Sequence, residues 1–450
     1  RSPSRGLGDV YKRQNFYKKL SFVMVMGISL SSYAAWNGDA TAWTQGDGSE
    51  QNPFLIENEA QLSHLQQTVT AGETYQGKYF RMTADLDMGG KQMPSIGHYN
   101  DYTTQENPEL VRESKVFRGT FDGDFHTIDN LTIVNNNADV NLGGVGLFAV
   151  SYPETHICNL TLGQGVTVEG SEFDNVGGFI GYSSGGKVEN CRFMGLVNGG
   201  SMNAGGIVGV AEATVTISGC VNTGRLVGHS FAGGIAGTVS ISKVQNCYSS
   251  ATISCPSAYW VAGIVGWAEQ STVYNCYAIG SIEAEVGSSF LPGKSPICAE
   301  LEKSSASDCY YVEALTGCKP LSEQTGVTAV TEEEMKAADM IAKLNANLSA
   351  NAWGVGADGF PALLWEIDGT GSIESVGATA GIEIVKEGDR LVIVSATGEK
   401  ARLSVYDITG KMIVTAVVTD GDCITVHDKG VCIASLVTDD GNRTTHKFLF

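Results

Sequence analysis

Apolar and polar residues alternate over short stretches along most of the chain. Segments such as VTIS, KVQNC and TVYNC carry β-branched residues and are too short for helices. A short apolar run between glycines, as in GGIVG, precedes such segments. This pattern predicts many short β-strands joined by tight corners.

The short strands recur in units of nearly constant length. A Gly-apolar-x-Gly element starts at Gly178, Gly206, Gly234 and Gly263, about 28 residues apart. A fixed period of this size is typical of stacked repeats that share one core. We therefore predict an all-β protein built around a parallel β-helix (β-solenoid). One apolar residue of each unit should superpose on successive turns: Val188, Ile217, Val244 and Val273.

Two segments at the ends of the repeat region have helical patterns. Residues 58–71 begin with a capping pair, Asn58 and Gln61, and residues 331–348 begin with another, Thr331 and Glu334. Both segments carry apolar residues at helical spacing. Short capping helices at the two ends of the solenoid are therefore expected.

Cysteine recurs once per unit. The positions are Cys158, Cys191, Cys220, Cys247, Cys276 and Cys309. Because stacked strands lie about 4.8 Å apart, these residues should form a buried ladder at one phase. Free cysteine behaves as a small apolar core residue, so we favour reduced thiols, and oxidation of some stacked pairs is the alternative. A zinc site is not expected, because no CxxC pair is present and the histidines are scattered.

The residue after each ladder cysteine should point to the opposite face of its strand. In three units this residue is a tyrosine: Tyr248, Tyr277 and Tyr310. Two interpretations follow. The rings stabilise neighbouring strands by stacking, or they form an exposed strip that binds sugar rings.

The charge composition of the chain argues against one class of binding partner. The chain has 450 residues, 29 Lys and Arg against 49 Asp and Glu, and a formal net charge of −20. Such a surface repels phosphates, so nucleic-acid binding is not expected. Residues 15–35 combine two lysines, a short apolar run and small residues, which predicts a secretory signal peptide rather than a transmembrane segment. Residues 1–14 are interpreted as a sequence artefact.

The repeat element resembles that of the GLUG-repeat proteins of bacterial surfaces. It reads GLFA at 146, GFIG at 178, GIVG at 206, GIAG at 234 and GIVG at 263. NPFLIENEAQLSHL and WGVGADGFPALLW are similar to the ends of such domains, and the resemblance covers about residues 44–366. It implies a β-solenoid over residues 36–367 and no shared catalytic residues.

A Gly/Ser/Thr-rich linker, residues 368–381, separates this region from a tail of short strands, residues 382–450, that predicts a small Ig-like β-sandwich. The tail resembles the C-terminal sorting domain of the type IX secretion system of Gram-negative bacteria. The matching elements are LSVYDITGKMI at 403–413, KGVCIASLV at 429–437 and THKFLF, with Cys432 where tyrosine is usual. The resemblance implies that the tail binds the type IX translocon and directs export; an accessory domain without a sorting role is the alternative.

Acidic residues supply the remaining candidate chemistry. Asp85 and Asp87 lie on one predicted strand, and Asp122, Asp124 and His126 lie close together. They are an acid pair of the kind that a glycosidase uses, a calcium site, or solvated turn residues, and the last interpretation is favoured.

A second acidic group, Asp39, Asp47 and Glu50, supplies oxygen ligands that would suit calcium, although a plain solvated loop is favoured and no other cofactor is expected. The sequence thus favours a secreted or surface-attached, adhesin-like binding scaffold with a host protein or glycan as its ligand. The alternative is a secreted polysaccharide lyase or hydrolase.

Overall fold

The computed structural model describes three-quarters or more of the chain, in segments. The described residues are 36–102, 111–135, 144–171, 174–256, 259–284, 293–367, 382–387, 390–395, 400–407, 412–419, 421–426, 431–438 and 443–449. The expected artefact (1–14), signal peptide (15–35) and linker (368–381) lie outside these residues.

A typical turn of the solenoid consists of five short strands around an apolar interior. One turn runs through Lys187–Glu189, Arg192–Phe193, Leu196–Asn198, Asn203–Gly205 and Val208–Glu212, and the next begins at Thr216–Ser218. Successive turns pair in parallel, and Val188, Ile217, Val244 and Val273 are in register and fully buried. The predicted parallel β-solenoid is therefore confirmed.

Four parallel sheets follow from this stacking. The first sheet contains Phe54–Ile56, Tyr79–Met82, Thr120–Asp122, His156–Cys158, Lys187–Glu189, Thr216–Ser218, Lys243–Gln245, Thr272–Tyr274 and Ser305–Ser307. The third contains Gly144–Val145, Asn175–Gly177, Asn203–Gly205, Phe231–Gly233, Trp260–Ala262 and Gly293–Ser295. The fourth contains Phe148–Ser151, Ile180–Ser184, Val208–Glu212, Ala236–Ser240, Val265–Glu269 and Cys298–Glu302.

The second sheet has two limbs that meet at the long strand Thr127–Val134, which also pairs with Leu86–Pro94. The cysteine limb contains Thr161–Leu162, Arg192–Phe193, Val221–Asn222, Tyr248–Ser249, Tyr277–Ala278, Cys309–Val312 and Val327–Val330. The other limb contains Thr167–Glu169, Leu196–Asn198, Arg225–Val227, Thr252–Cys255 and Ile282–Ala284. A separate antiparallel hairpin joins His98–Tyr102 to Val111–Lys115.

Helix α1, Glu59–Ala71, covers the first end of the core. The Asn58 side chain accepts a hydrogen bond from the Gln61 amide at 3.1 Å, as the capping pattern predicts. Leu62, Leu65 and Val69 are buried against the solenoid interior. A short helix α2, Glu313–Thr316, follows the last strand of the repeat region.

The second predicted helix is interrupted. It forms α3, Glu332–Met335, and α4, Ala338–Asn345, with Ala337 extended between them. The capping box of Thr331 and Glu334 is present. On one continuous helix, five residues would place two side chains about 140° apart. The break lets Met335 and Met340 both lie buried against the sheet.

Residues 331–367, which follow the last strand of the cysteine limb, form a single cap segment. After α4 come a hairpin of Trp353–Val355 with Pro361–Leu363 and the short helix α5, Leu364–Ile367. The apolar residues of the segment pack on the outside of the cysteine limb, where they form a second core with Val221, Tyr248 and Tyr277. The cap segment therefore covers the outer face of the sheet.

The C-terminal part contains two antiparallel sheets. One consists of Ile382–Glu387, Arg390–Ser395 and Cys423–Thr425, and the other of Met412–Val418, Ala401–Asp407, Val431–Thr438 and Arg443–Leu449. Leu391 and Ile393 of the first sheet share a buried cluster with Leu403, Val405 and Ala434 of the second. This arrangement is a small β-sandwich, as the strand pattern predicts.

Candidate functional site

Five of the six candidate ladder cysteines lie at one corner of the solenoid. These are Cys191, Cys220, Cys247, Cys276 and Cys309, each 0% exposed. Each sulfur lies 3.1 to 3.3 Å from the carbonyl oxygen two residues earlier. Burial raises the pKa of the Cys220 and Cys276 thiols well above the usual value. The ten cysteines with described side chains carry free thiols.

Cys158 does not belong to this ladder, so its assignment is wrong. It lies two residues earlier in the turn and pairs with Asp122 and Glu189. Leu160 occupies the ladder position in this turn. Its carbonyl accepts a hydrogen bond from the Arg192 amide, just as the Cys191 carbonyl accepts one from the Val221 amide in the next turn. The ladder residue follows a left-handed corner, and Cys158 precedes that corner.

The corner residues themselves escaped the sequence analysis. They have φ between +50° and +61° and are Asn159, Asn190, Gly219, Asn246, Asn275 and Asp308. Asparagine tolerates this conformation better than most residues. Its side chain also bridges turns, since Asn190 Nδ2 donates to Asn159 Oδ1 at 3.1 Å and Asn275 Nδ2 donates to Asn246 Oδ1 at 2.6 Å. The repeated Asn-Cys pair was the available signal.

The predicted tyrosines point away from the solenoid interior but do not form an exposed strip. The rings of Tyr248 and Tyr277 stack with centroids 4.8 Å apart, and Trp353 packs against both. Tyr248 is 8% and Tyr277 0% exposed, whereas Tyr310 is half-buried. This arrangement agrees with the interpretation that the rings stabilise neighbouring strands, and it does not fit the alternative of an exposed strip, because the cap segment covers Tyr248 and Tyr277.

Buried hydrogen bonds hold the tyrosine hydroxyl groups. Tyr248 donates to Glu366 Oε1 at 2.9 Å, and Tyr277 donates to the Pro361 carbonyl. Burial raises the pKa of both side chains, and the charge of Glu366 adds to the effect at Tyr248. Both tyrosines are therefore neutral donors at ordinary pH.

An open cleft lies on the cysteine limb beside the end of the cap segment. Its volume is about 340 Å³. The lining residues are Asp85, Phe125, Thr127, Asp129, Thr161, Gly163, Gln164, Arg192, Met194, Trp365 and Glu366. The rings of Phe125 and Trp365 stack at 5.9 Å and form an aromatic wall, and the Arg192 guanidinium lies 5.5 Å from the Trp365 ring centroid.

Polar contacts fix the wall of the cleft that the cap segment contributes. Glu366 pairs with Arg192 and accepts from the Leu363 amide at 2.8 Å. Trp365 Nε1 donates to the Gly219 carbonyl at 3.0 Å. These residues are distant in the sequence from the strands they contact, so no local motif predicted them.

Carboxylates of the opposite wall are also held by hydrogen bonds. Asp85 Oδ1 lies 3.0 Å from His126 Nδ1 and accepts from the Thr127 amide at 2.9 Å. Asp129 Oδ1 accepts from the Gly165 amide at 2.7 Å. The structure thus brings Asp85, Asp129, Arg192 and Glu366 to one cleft.

The other candidate acids lie elsewhere. Asp122 forms an ion pair with Arg81 at 3.3 Å, and the Asp124 amide donates a hydrogen bond to Asp122 Oδ1 within a turn. Asp87 accepts from Asn130 Nδ2 and the Gly89 amide at 2.9 Å each, and these bonds lower its pKa. They are turn and surface residues and do not line the cleft.

The acidic loop considered for calcium is held by its own turns. Asp39 accepts a hydrogen bond from the Asn37 side chain, and Asp47 accepts one from the Ser49 amide at 2.8 Å. Hydrogen bonding to the Ser49 side chain and to the Ser49 amide lowers the pKa of Asp47. Within the described part of the chain, no three His, Cys, Asp or Glu side chains are grouped as metal ligands require.

Comparisons with known proteins support the fold. No protein-family model matches the chain. It is similar to a protein named Halomucin from Haloquadratum walsbyi, with 30% identity over 199 residues, which are 43% of this chain and 2% of that protein. It is also similar to a crystal structure of a candidate immunoglobulin A1 protease from Bacteroides ovatus, with a TM-score of 0.53 and 21% identity over 72% of this chain and 95% of that chain.

The similarity to the Bacteroides ovatus structure shows a common fold alone, because the identity is low. The chain spans only a small fraction of Halomucin, so the activity of that protein does not transfer to it. The GLUG and sorting-domain resemblances stay predictions. No helix among the described residues is long and apolar enough to cross a bilayer.

Proposed function

We propose that the protein is an exported, surface-displayed β-solenoid that binds a glycan chain in the cleft between Asp85 and Trp365. The observation that carries this proposal is the composition of the cleft. A stacked pair, Phe125 and Trp365, presents apolar surface beside one guanidinium and three carboxylates. A sugar needs both, because its C–H faces are apolar and its hydroxyl groups donate and accept hydrogen bonds. Ligand sites commonly combine apolar walls with a few placed polar groups.

The site also suits an elongated ligand. The cleft is open rather than enclosed, and its lining side chains come from successive turns at Thr127, Thr161 and Arg192. Stacked turns repeat polar groups about every 4.8 Å along the axis. A chain molecule that lies along the solenoid would contact several turns at once.

The test is glycan binding by the full chain, measured on an array and then by calorimetry with the best ligand. We expect Asp129→Asn and Asp85→Asn each to weaken binding about tenfold, since each removes a charged hydrogen-bond acceptor. Asp87→Asn is the matched control, because Asp87 is also a hydrogen-bonded surface aspartate but does not line the cleft. Equal binding by all three variants would reject the cleft as the site.

A polysaccharide-degrading enzyme is the second candidate. The observation in its favour is that Asp85, Asp129 and Glu366 line one cleft, because glycosidases act through a pair of carboxylates. Incubation with plant and host polysaccharides distinguishes the two functions. New reducing ends or unsaturated products that disappear in Asp129→Asn would establish the enzyme.

Export through residues 382–450 belongs to the same proposal. The β-sandwich supports it, together with the sequence elements at 403–413 and 429–437. Localisation outside the cell is part of this proposal, and its experiment is given in the Discussion.

A further inference from the structure

A second surface with a distinct chemistry lies on the third and fourth sheets. Phe231 stacks on Trp260 at 5.4 Å and on Trp267 at 5.6 Å, and all three rings are partly exposed. Tyr259 lies 6.1 Å from Trp260 and is 44% exposed. Together these four rings form an aromatic patch, and none of them lines the cleft.

The strands of the fourth sheet carry acids but no bases. Their sequences are FAVS, IGYSS, VGVAE, AGTVS, VGWAE and CAELE. Glu300 pairs in register with Trp267, and Glu302 pairs with Glu269. Trp267 and Glu269 are two residues apart on one strand, so their side chains point to the same face. The side chain of Glu302 is 47% exposed. Carboxylates therefore border the aromatic patch.

The combination of aromatic rings and carboxylates favours a cationic ligand. Aromatic faces attract guanidinium and ammonium groups, and tryptophan does so best. Complementary charge steers and orients a partner. Glu302 already pairs with Lys303 at 3.8 Å, but a neutral sugar would supply no opposite charge to Glu269 or Glu300, and a phosphate-bearing ligand would be repelled. The protein already shows such a contact elsewhere, where the Arg118 guanidinium lies 4.6 Å from the Tyr152 ring centroid.

We infer that the acidic aromatic patch, Phe231, Tyr259, Trp260 and Trp267 with Glu269, Glu300 and Glu302, docks an arginine- or lysine-rich segment of a partner protein. The segment lies across the patch with its cationic groups on the indole faces and between the carboxylates. This interaction is independent of the glycan cleft.

The experiment uses an oligoarginine peptide as the probe, with the full chain and calorimetry. A peptide of the same length made of glutamate, and a neutral glucan oligosaccharide, are the comparison ligands. We expect the oligoarginine peptide to bind, and its affinity to fall when salt is raised from about 0.01 M to about 0.1 M, where the screening length shortens from about 30 Å to about 10 Å.

Because the whole chain is acidic, the variants must separate the patch from general attraction. Glu300→Gln with Glu302→Gln should weaken peptide binding about fivefold, as expected for two exposed charges. Glu283→Gln with Glu333→Gln removes the same charge from exposed positions outside the patch and should leave binding unchanged. Trp267→Ala should weaken binding about threefold.

Two results would overturn the inference. If both double variants weaken peptide binding equally, the attraction is general and the patch is not a site. If the glucan binds and Trp267→Ala abolishes that binding, the patch recognises sugars instead. The glutamine variants keep the test valid if Trp267→Ala does not fold, because they remove no buried apolar group.

Discussion

At five corners between the first sheet and the cysteine limb, a left-handed residue is followed by a buried cysteine. The corner turns the chain sharply, and the carbonyl two residues before the cysteine points toward the thiol. A cysteine therefore fills the apolar interior and donates a weak hydrogen bond to that carbonyl. Size and donor strength together explain why this residue type recurs there.

Cys247 is the best position for a test. Cys247→Ala should lower the free energy of unfolding by about 1 kcal/mol through lost packing. From the sequence alone, Cys247→Ser should cost more, since it buries a hydroxyl. In the structure, the Gln245 carbonyl lies 3.1 Å from Sγ, and the Cys220 amide donates to Sγ at 3.4 Å. A serine hydroxyl would thus have both partners, and we now expect serine to cost no more than alanine.

Denaturant unfolding of the two variants measures this difference. In parallel, alkylation of the folded protein without reductant should leave Cys247 unlabelled, and denaturation should expose it. A disulfide between Cys220 and Cys247 in mass spectrometry would contradict the free-thiol prediction.

Among the elements, the cap segment has the largest effect on the surface. It turns the outside of the cysteine limb into a second core, with Tyr248 and Tyr277 stacked beneath Trp353. It also supplies Trp365 and Glu366 to the cleft. The cap segment therefore covers the tyrosine strip, which was one candidate binding surface, and contributes to the cleft, which is another.

The covered tyrosines give the protein an alkaline limit of stability. Burial raises the pKa of Tyr248 and Tyr277 above the usual value near 10. A group whose pKa is raised in the folded state stabilises that state below its unfolded pKa. This stabilisation is lost as pH rises above about 10, because the unfolded chain releases protons that the folded chain retains.

We expect the free energy of unfolding to fall above about pH 10, with part of the tyrosine absorbance change appearing only on unfolding. Tyr277→Phe should show a shallower loss at high pH than the parent, although it loses the hydrogen bond to Pro361. Tyr259→Phe is the control, since the Tyr259 side chain is 44% exposed and this variant should keep the loss of stability of the parent. Complete tyrosine ionisation before unfolding would contradict the buried arrangement.

The sequence predicts the features that recur in every repeat, such as strand register, and does not predict contacts that occur once. Val188 and Ile217 were placed in register because one apolar residue recurs in each unit. Cys158 was misplaced because cysteine, rather than the corner asparagine, was used as the phase marker. The Trp365 and Glu366 contacts join residues more than 100 positions apart, as at Tyr248 and Glu366 with a separation of 118. No periodic pattern reports such a contact.

At the scale of the whole molecule, the proposal of export rests on the C-terminal tail. Deletion of residues 382–450 should leave the protein in the periplasm of a host with a type IX system. A reporter with a signal peptide should reach the medium or the cell surface when these residues are fused to it. Fractionation and surface labelling measure both results, and a reporter without the tail is the control. Surface display of the deletion variant would remove the sorting role.

The cap segment also ties together turns that are not neighbours. Trp365 stacks on Phe125, Glu366 pairs with Arg192, and the Leu344 carbonyl accepts from Asn275 at 2.8 Å. In a simple repeat array each turn contacts only its neighbours, so the end turns can peel away one by one. Here a pulling force applied at the C-terminal end of the cap segment would act on all of these contacts at the same time. They would have to break before any single turn could detach. The segment acts as a mechanical brace, and the solenoid should yield in one step rather than by progressive unzipping.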